Sequence, residues 1–265
     1  MMKSLILCCN YNEEKTGNLE RCLKAFQENK LENTLIGIID NGSKDNSVQL
    51  ISEYVKNKTI DGFVASSKNL GKPKALNALF KYMMGAYKFY KNDICIHIDS
   101  DIKMYDNFIK ESEHVFLTYE DCYLFFSLGS SELNEIKYDD GHFFKPETLE
   151  IIDEKYGRIN RGPGIQGALW SMPISTFMKV NLYRENNGKD GKSAIYGGDD
   201  GFLVYDLFNL NPNKFAYTNL NLYHYHPPVL DLEYKEWKAQ QNMYAGAVTK
   251  TSETNKHLAE KGFYD

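Results

Sequence analysis

Four short apolar runs, separated by stretches of helical periodicity, constrain the first hundred residues of this chain more tightly than any other feature. The runs are Ser4–Cys9, Leu35–Ile39, Gly62–Ala65 and Ile94–Ile98, and each reads as a buried strand by its length and apolar content. Between the first two, Leu19, Cys22, Leu23 and Phe26 fall at i, i+3, i+4 and i+7, which predicts a helix with one apolar stripe. After the second run, Asp45 is placed to cap a helix that turns Val48, Ile51 and Val55 inward. After the third, Pro73 suits a first helical turn, and Leu76, Leu79, Phe80, Met83 and Tyr87 share one face of the long helix it opens. Strands that alternate with helices return parallel to one another. The expected fold is therefore α/β, a Rossmann-like, mostly parallel sheet with helices on both faces.

The second half is less regular. Tyr123–Leu128 reads as a strand, and residues 129–160 are polar, with one short helix expected from Pro146. Ile165–Met172 reads as a strand, Asp199–Phe208 as a helix, Asn221–His226 as extended, and Tyr234 to about Thr249 as a helix. No repeat, low-complexity tract or linker divides the chain, so a single domain spanning 1–265 is expected.

Charge and cysteine usage narrow the setting. A net charge of −5 with no long basic run argues against a broad electrostatic grip on nucleic acid. Cys8, Cys9, Cys22, Cys95 and Cys122 are odd in number, lack metal-ligand spacing and mostly lie in apolar stretches, the pattern of buried reduced thiols in a cytoplasmic protein. The apolar run that ends at Asn10 is too short for a signal peptide or a membrane span, and no longer one follows. A soluble, cytoplasmic protein is the expectation.

Ligands of open α/β sheets bind beyond the carboxyl ends of the strands. Three polar segments lie there: Asn10-Tyr11-Asn12-Glu13, Asp40-Asn41-Gly42-Ser43 and Asp99-Ser100-Asp101. Two carboxylates one residue apart at the mouth of a buried strand can hold a hard cation such as Mn2+ or Mg2+, leaving room for water and phosphate oxygens. A diphosphate leaving group needs such a cation, because charge builds on it as the bond breaks. Asp-x-Asp alone is common in solvated loops; its place behind Ile94–Ile98 makes it a candidate. Asn69 to Asn77 spans a strand-to-helix junction, where Gly71 allows close backbone approach and Lys72 and Lys74 add positive charge beside a helix start. Asp40, ending a buried strand, could accept a hydrogen bond from a nucleobase imide, although its Asn-Gly context also suits a plain turn.

The order Tyr11-Asn12-Glu13-Glu14, Asp40-Asn41-Gly42-Ser43, Asn69 to Asn77 and Asp99-Ser100-Asp101 resembles the nucleotide-binding half of family-2-type glycosyltransferases of the GT-A fold, over about the first 110 residues. The resemblance implies a metal-dependent transfer from a nucleotide-sugar donor, commonly a UDP-sugar. In that reading Asp40 contacts the base, and Tyr11, Asn12 and Glu13 contribute to the nucleoside site. Lys72 or Lys74 meets the diphosphate beside Asn69 and Gly71. Asp101 holds the metal most directly, with Asp99 towards the ribose and metal-bound water and Ser100 between them. Gly164-Ile165-Gln166-Gly167-Ala168-Leu169-Trp170 resembles the small-residue strand that lines donor sugar and acceptor, with Gly167 and Ala168 the residues of interest. Gly197-Gly198-Asp199-Asp200 resembles the acidic pair of the second half, although Glu-Asp is more usual there. The resemblance gives Asp200 the role of base and Asp199 an acceptor contact.

Tyr223-His224-Tyr225-His226 adds two imidazoles on one face of an extended segment, which a plain surface strand would also explain; the resemblance implies a late histidine as third metal ligand, His224 in preference to His226. His97 reads as a satisfied core residue, and Trp170 as either core or sugar platform. Two rivals remain: a catalytically silent nucleotide- or glycan-binding module, and a sugar nucleotidyltransferase. The second would want a basic glycine-rich loop after the first strand, where this chain has Glu13 and Glu14. The acceptor stays open between saccharide, protein side chain, lipid-linked sugar and modified nucleobase.

Overall fold

The computed structural model describes residues 2–104, 108–118, 123–129, 149–153, 157–160, 169–185, 203, 206–207, 209–211 and 215–224. The alternation expected from the sequence is present: β1 (Ser4–Asn10), α1 (Asn18–Asn29), β2 (Thr34–Asp40), α2 (Ser47–Lys56), β3 (Gly62–Ala65), α3 (Lys72–Ala86) and β4 (Ile94–Asp99). These are followed by β5 (Ile102–Lys103), α4 (Phe108–Thr118), β6 (Tyr123–Gly129), β7 (Leu149–Asp153), β8 (Gly157–Asn160), β9 (Leu169–Pro173), α5 (Ile174–Lys179) and β10 (Phe215–His224).

Among the described residues all ten strands join one sheet in the order β3-β2-β1-β4-β9-β6-β10-β8-β7, with β5 on β10. The first four strands are mutually parallel, while β9 runs antiparallel to both β4 and β6. Alternation of side chains divides the core between the two faces of the sheet. Ile6, Cys8, Ile36, Ile38, Ile96 and Ile98 pack with Leu19, Leu23 and Phe26 of α1. Leu5, Leu7, Ile39 and Cys95 pack on the other face with Leu76, Leu79 and Met83 of α3 and with Trp170. Cys8, Cys9, Cys22 and Cys95 are free thiols, and all but Cys9 are buried.

Several local expectations differ from the structure. Where a short helix was expected from Pro146, the described residues are strand: Leu149–Asp153 and Gly157–Asn160 pair antiparallel as β7 and β8, and β8 pairs in turn with β10. Val48 is 38% exposed, whereas Ile51 is buried. Asn46, not Asp45, occupies the N-cap of α2. Asp45 still accepts the Ser47 amide at 3.1 Å, and its other oxygen reaches the Glu14 amide. Tyr87 is the C-cap of α3, and its half-buried side chain packs against the same core as Leu76, Leu79, Phe80 and Met83. Residues 165–168, 199–200, 226 and 234–249, and with them the expectations placed there, lie outside the described residues.

Candidate active site

The chain builds β1, moves outward to β2 and β3, and then returns to place β4 on the opposite side of β1. This reversal is a topological switch point, where loops leave adjacent strand ends in opposite directions and open a crevice. Cys9 and Asp99 are register partners across it, and Asn10 is the register partner of Asp40 on the other side. The polar strand ends singled out in the sequence therefore converge.

Short polar side chains sew the loops together. Asn10 Nδ2 donates to Asp40 Oδ2 at 3.0 Å and to Ser43 Oγ at 3.3 Å. The Asn12 amide donates to Ser43 Oγ at 2.9 Å, and Asn12 Oδ1 accepts the Lys44 amide at 2.7 Å. Asn12 takes a left-handed backbone (φ 58°), a conformation asparagine tolerates better than most residues. Asp40 is fully buried, and its second oxygen accepts the Gly42 and Ser43 amides. In this structure its carboxylate holds the turn. A second seam joins the β2 loop to the β3 loop: Asn41 Nδ2 donates to Asn69 Oδ1 at 3.0 Å, and Asn41 Oδ1 accepts the Leu70 amide at 2.9 Å. Asn69 Oδ1 also accepts the Gly71 amide. Gly71, with φ 83°, caps α3 without a side chain.

The structure separates the two lysines at the start of α3. Lys74 is exposed, whereas Lys72 is half-buried and its ammonium lies 2.9 Å from Asp99 Oδ2. The other carboxylate oxygen, Oδ1, lies 3.1 Å from Nε2 of His97, which is fully buried. His97 Nδ1 is 3.2 Å from the Leu7 carbonyl oxygen. Burial alone would push the Asp99 carboxyl up, but the Lys72 ammonium and the His97 ring outweigh it and hold it well below the usual carboxylate range. His97 thus does more than satisfy itself in the core. The signal was available in the sequence, since His97 and Asp99 are two residues apart on a strand and share a face.

Trp170 is buried and no open platform: its indole N–H donates to the Tyr183 hydroxyl at 2.7 Å. Ser100 is also buried. Asp101 follows on the turn into β5, where it meets a concentration of negative charge. Burial pushes the Glu13 carboxyl up, and the nearby Asp101 and Asp45 carboxylates add to the effect against the hydrogen bonds from Thr16 and Asn18. Acids crowded in this way suit a divalent cation. Among the described residues no three His, Cys, Asp or Glu side chains form a ready-made metal cluster. The pairing of β5 with β10 does place His224 opposite Ile102, the residue after Asp101. Tyr11 and Glu13 are half-buried at the same loop. Gly167, Ala168, Asp199, Asp200 and His226 lie outside the described residues. Among the described residues no helix is long and apolar enough to cross a membrane.

Comparison with solved structures finds the same architecture. Staphylococcus aureus TarS 1–349 superposes with a TM-score of 0.60 at 15% identity, over 84% of this chain and 60% of that one. A mannosyltransferase from Pyrobaculum calidifontis, PcManGT, solved with GDP-Man and Mn2+, gives 0.60 at 11% identity over 95% of this chain and 64% of that one. These likenesses show the GT-A fold. In sequence, the uncharacterized protein MJ0544 of Methanocaldococcus jannaschii is 30% identical over 92 residues, 34% of this chain. The chain spans 37% of the length of that relative. The model of glycosyl transferase family 2 matches residues 5–166. A match that runs from β1 to beyond β8, and takes in all four strand-end loops around the switch point, makes the assignment: this chain belongs to glycosyl transferase family 2.

Proposed function

We propose that the protein transfers a sugar from a nucleotide-diphosphate donor, a UDP-sugar by preference, to an acceptor hydroxyl. The Lys72–Asp99 pair at the β1/β4 switch point, with Asp101 beside it, carries this reading. A fixed ammonium beside the N-terminus of a 15-residue helix suits a diphosphate, since both offer positive charge to the same oxygens. The sewn loops of Asn10, Asn12, Ser43, Asn41 and Asn69 form the nucleoside side of the site. A base imide that reached Asp40 would share oxygens that now accept from Asn10 and the turn amides. PcManGT was solved with GDP-Man, and TarS with UDP-GlcNAc, so the base itself needs a direct test.

Asp101, Asp99 and His224 are the residues that would hold a divalent metal, Mn2+ or Mg2+. Bound there, the metal supplies charge neutralisation for the departing diphosphate. In the second half, Gly167 and Ala168 line the donor sugar and Asp199 contacts the acceptor. Asp200 takes the proton from the acceptor hydroxyl, whose oxygen forms the new bond to the anomeric carbon as the bond to the diphosphate oxygen breaks. Attack opposite the leaving group inverts the anomeric centre. A single base suffices, because the leaving diphosphate needs no proton.

A panel of nucleotide sugars, screened by thermal shift with and without Mn2+ and followed by turnover of the hit, tests the proposal. Asp200→Asn is expected to abolish transfer and leave donor affinity near the wild-type value. Binding without turnover across varied acceptors would favour a silent binding module instead, and lost donor affinity in Asp200→Asn would move that residue out of the base role.

A further inference from the structure

We infer that His97 is a positioning residue for the donor diphosphate, acting through Asp99 on Lys72. The inference rests on the reading of Lys72 and Asp99 as part of the donor site. It starts from a cost. Positions 94, 95, 96 and 98 of β4 are Ile, Cys, Ile and Ile, all buried, and a further apolar residue at 97 would complete the strand without a polar group to satisfy. The chain instead buries an imidazole there completely.

Both ring nitrogens meet oxygen. Nδ1 lies 3.2 Å from the Leu7 carbonyl on the adjacent parallel strand, where His97 and Leu7 are register partners. With Nδ1 donating to that carbonyl, Nε2 lies 3.1 Å from Asp99 Oδ1, a charge contact that holds the carboxylate when the ring carries both protons. The carboxylate is then held from two sides, by His97 on one oxygen and by Lys72 on the other. A lysine side chain has four rotatable bonds and little intrinsic preference for one position. An anchored carboxylate gives its ammonium one place to be.

The far side of the ring is equally defined. His97 packs against Trp170, with ring centroids 5.7 Å apart, and edge-on to Tyr183 at 6.2 Å. Trp170 and Tyr183 are joined by the indole hydrogen bond. Tyr183 is tied to Asn77 through both its backbone groups: Asn77 Nδ2 donates to its carbonyl at 2.8 Å, and Asn77 Oδ1 accepts its amide at 3.1 Å. Asn77 and Lys72 are on the same helix. The contacts form a closed circuit from Lys72 through Asp99, His97, Trp170, Tyr183 and Asn77 back to α3, so a shift of His97 is passed to the lysine rather than absorbed. A residue that orients a ligand's partner in this way commonly changes affinity by about 10- to 100-fold when removed.

Two substitutions separate positioning from packing. His97→Asn retains an amide near the Nδ1 position and loses the contact to Asp99, whereas His97→Gln extends an amide towards Asp99. UDP and GDP binding, each with Mn2+, is measured by calorimetry for wild type, both variants, Asp99→Asn, Lys72→Met and the double variant His97→Asn/Asp99→Asn. His97→Asn is expected to weaken nucleotide binding by about tenfold, His97→Gln to recover most of that loss, and the loss to vanish in the Asp99→Asn background. Equal affinity of His97→Asn and wild type, or an undiminished loss in the double variant, overturns the role of His97 alone. Unchanged binding in Lys72→Met and Asp99→Asn overturns the donor-site reading beneath it. Should His97→Asn fail to fold, the ring-nitrogen NMR signals of His97 in the wild-type protein decide: they move when UDP or GDP is added, and signals indifferent to both nucleotides overturn the inference.

Discussion

Gly42→Ala tests whether the seam between the β2 and β3 loops builds the site. Gly42 has φ +86°, and a Cβ added to it would lie 2.4 Å from the Lys68 carbonyl carbon, 2.6 Å from the Asn69 nitrogen and 2.8 Å from the Lys68 Cα. All three atoms are backbone and none can swing aside. The left-handed backbone costs an L-residue roughly 1–2 kcal/mol, and displacing packed neighbours costs about 1–3 kcal/mol more. A loss near the middle of the summed range, about 3.5 kcal/mol, corresponds to roughly 7–14 °C in melting temperature for a chain of this size. The displaced atoms belong to the residues that place Asn69 Oδ1 between Asn41 and the Gly71 amide, so donor affinity falls with stability. Gly85→Ala is the control: a Cβ there meets nothing within 4 Å, and helix propensity predicts a gain of up to about 1 kcal/mol. Urea midpoints and UDP titration read both effects. A Gly42→Ala protein that melts with wild type and binds UDP normally would refute the reasoning. One that is destabilised yet binds UDP normally would detach the Asn69–Gly71 loop from the donor site.

Two further outcomes follow from the same geometry. Because burial and the neighbouring acids raise the Glu13 carboxyl, the folded chain holds that proton more tightly than the unfolded chain does. Its cost to stability is absent below the ordinary glutamate range and complete above the raised folded value. Glu13→Gln is therefore expected to exceed wild type in urea midpoint at neutral pH and to match it in acid; a less stable variant at neutral pH would contradict this. Trp170→Phe removes the indole donor from Tyr183 and about half a ring system from a fully buried position. A loss of about 2–3 kcal/mol is expected in denaturant melts, and a change under roughly 0.5 kcal/mol would show that the circuit carries no stability.

Much of the first half was legible because its signals are local. Leu19, Cys22, Leu23 and Phe26 fell on one face because a helix turns every 3.6 residues, and all four are buried. Gly62–Ala65 matched β3 at both ends, since turn-prone residues bound a short apolar run on either side. The β7–β8 hairpin was not legible. Leu149–Asp153 and Gly157–Asn160 each mix apolar and charged residues over only four or five positions, and their strand character comes from pairing with each other and from the pairing of β8 with β10. Val48 shows the same limit on a helix. Spacing gives the direction of a side chain around the axis, but not whether another element lies over it.

The sequence by itself determined which residues stand at strand ends and which line the core, because alternation and periodicity are properties of neighbours in the chain. Tertiary structure decided which strand ends meet. Only the sheet order β2-β1-β4 brings Asp40, Asn10 and Asp99 together, and only the packing of α3 gives Asp99 to Lys72 while leaving Lys74 exposed. His97 belongs to both accounts: its place two residues before Asp99 was written in the chain, and its hold on that carboxylate came from the Leu7 carbonyl one strand away. The reason is that hydrogen bonds between side chains depend on distances of about 3 Å, and such distances between residues far apart in sequence are set by strand register and helix docking.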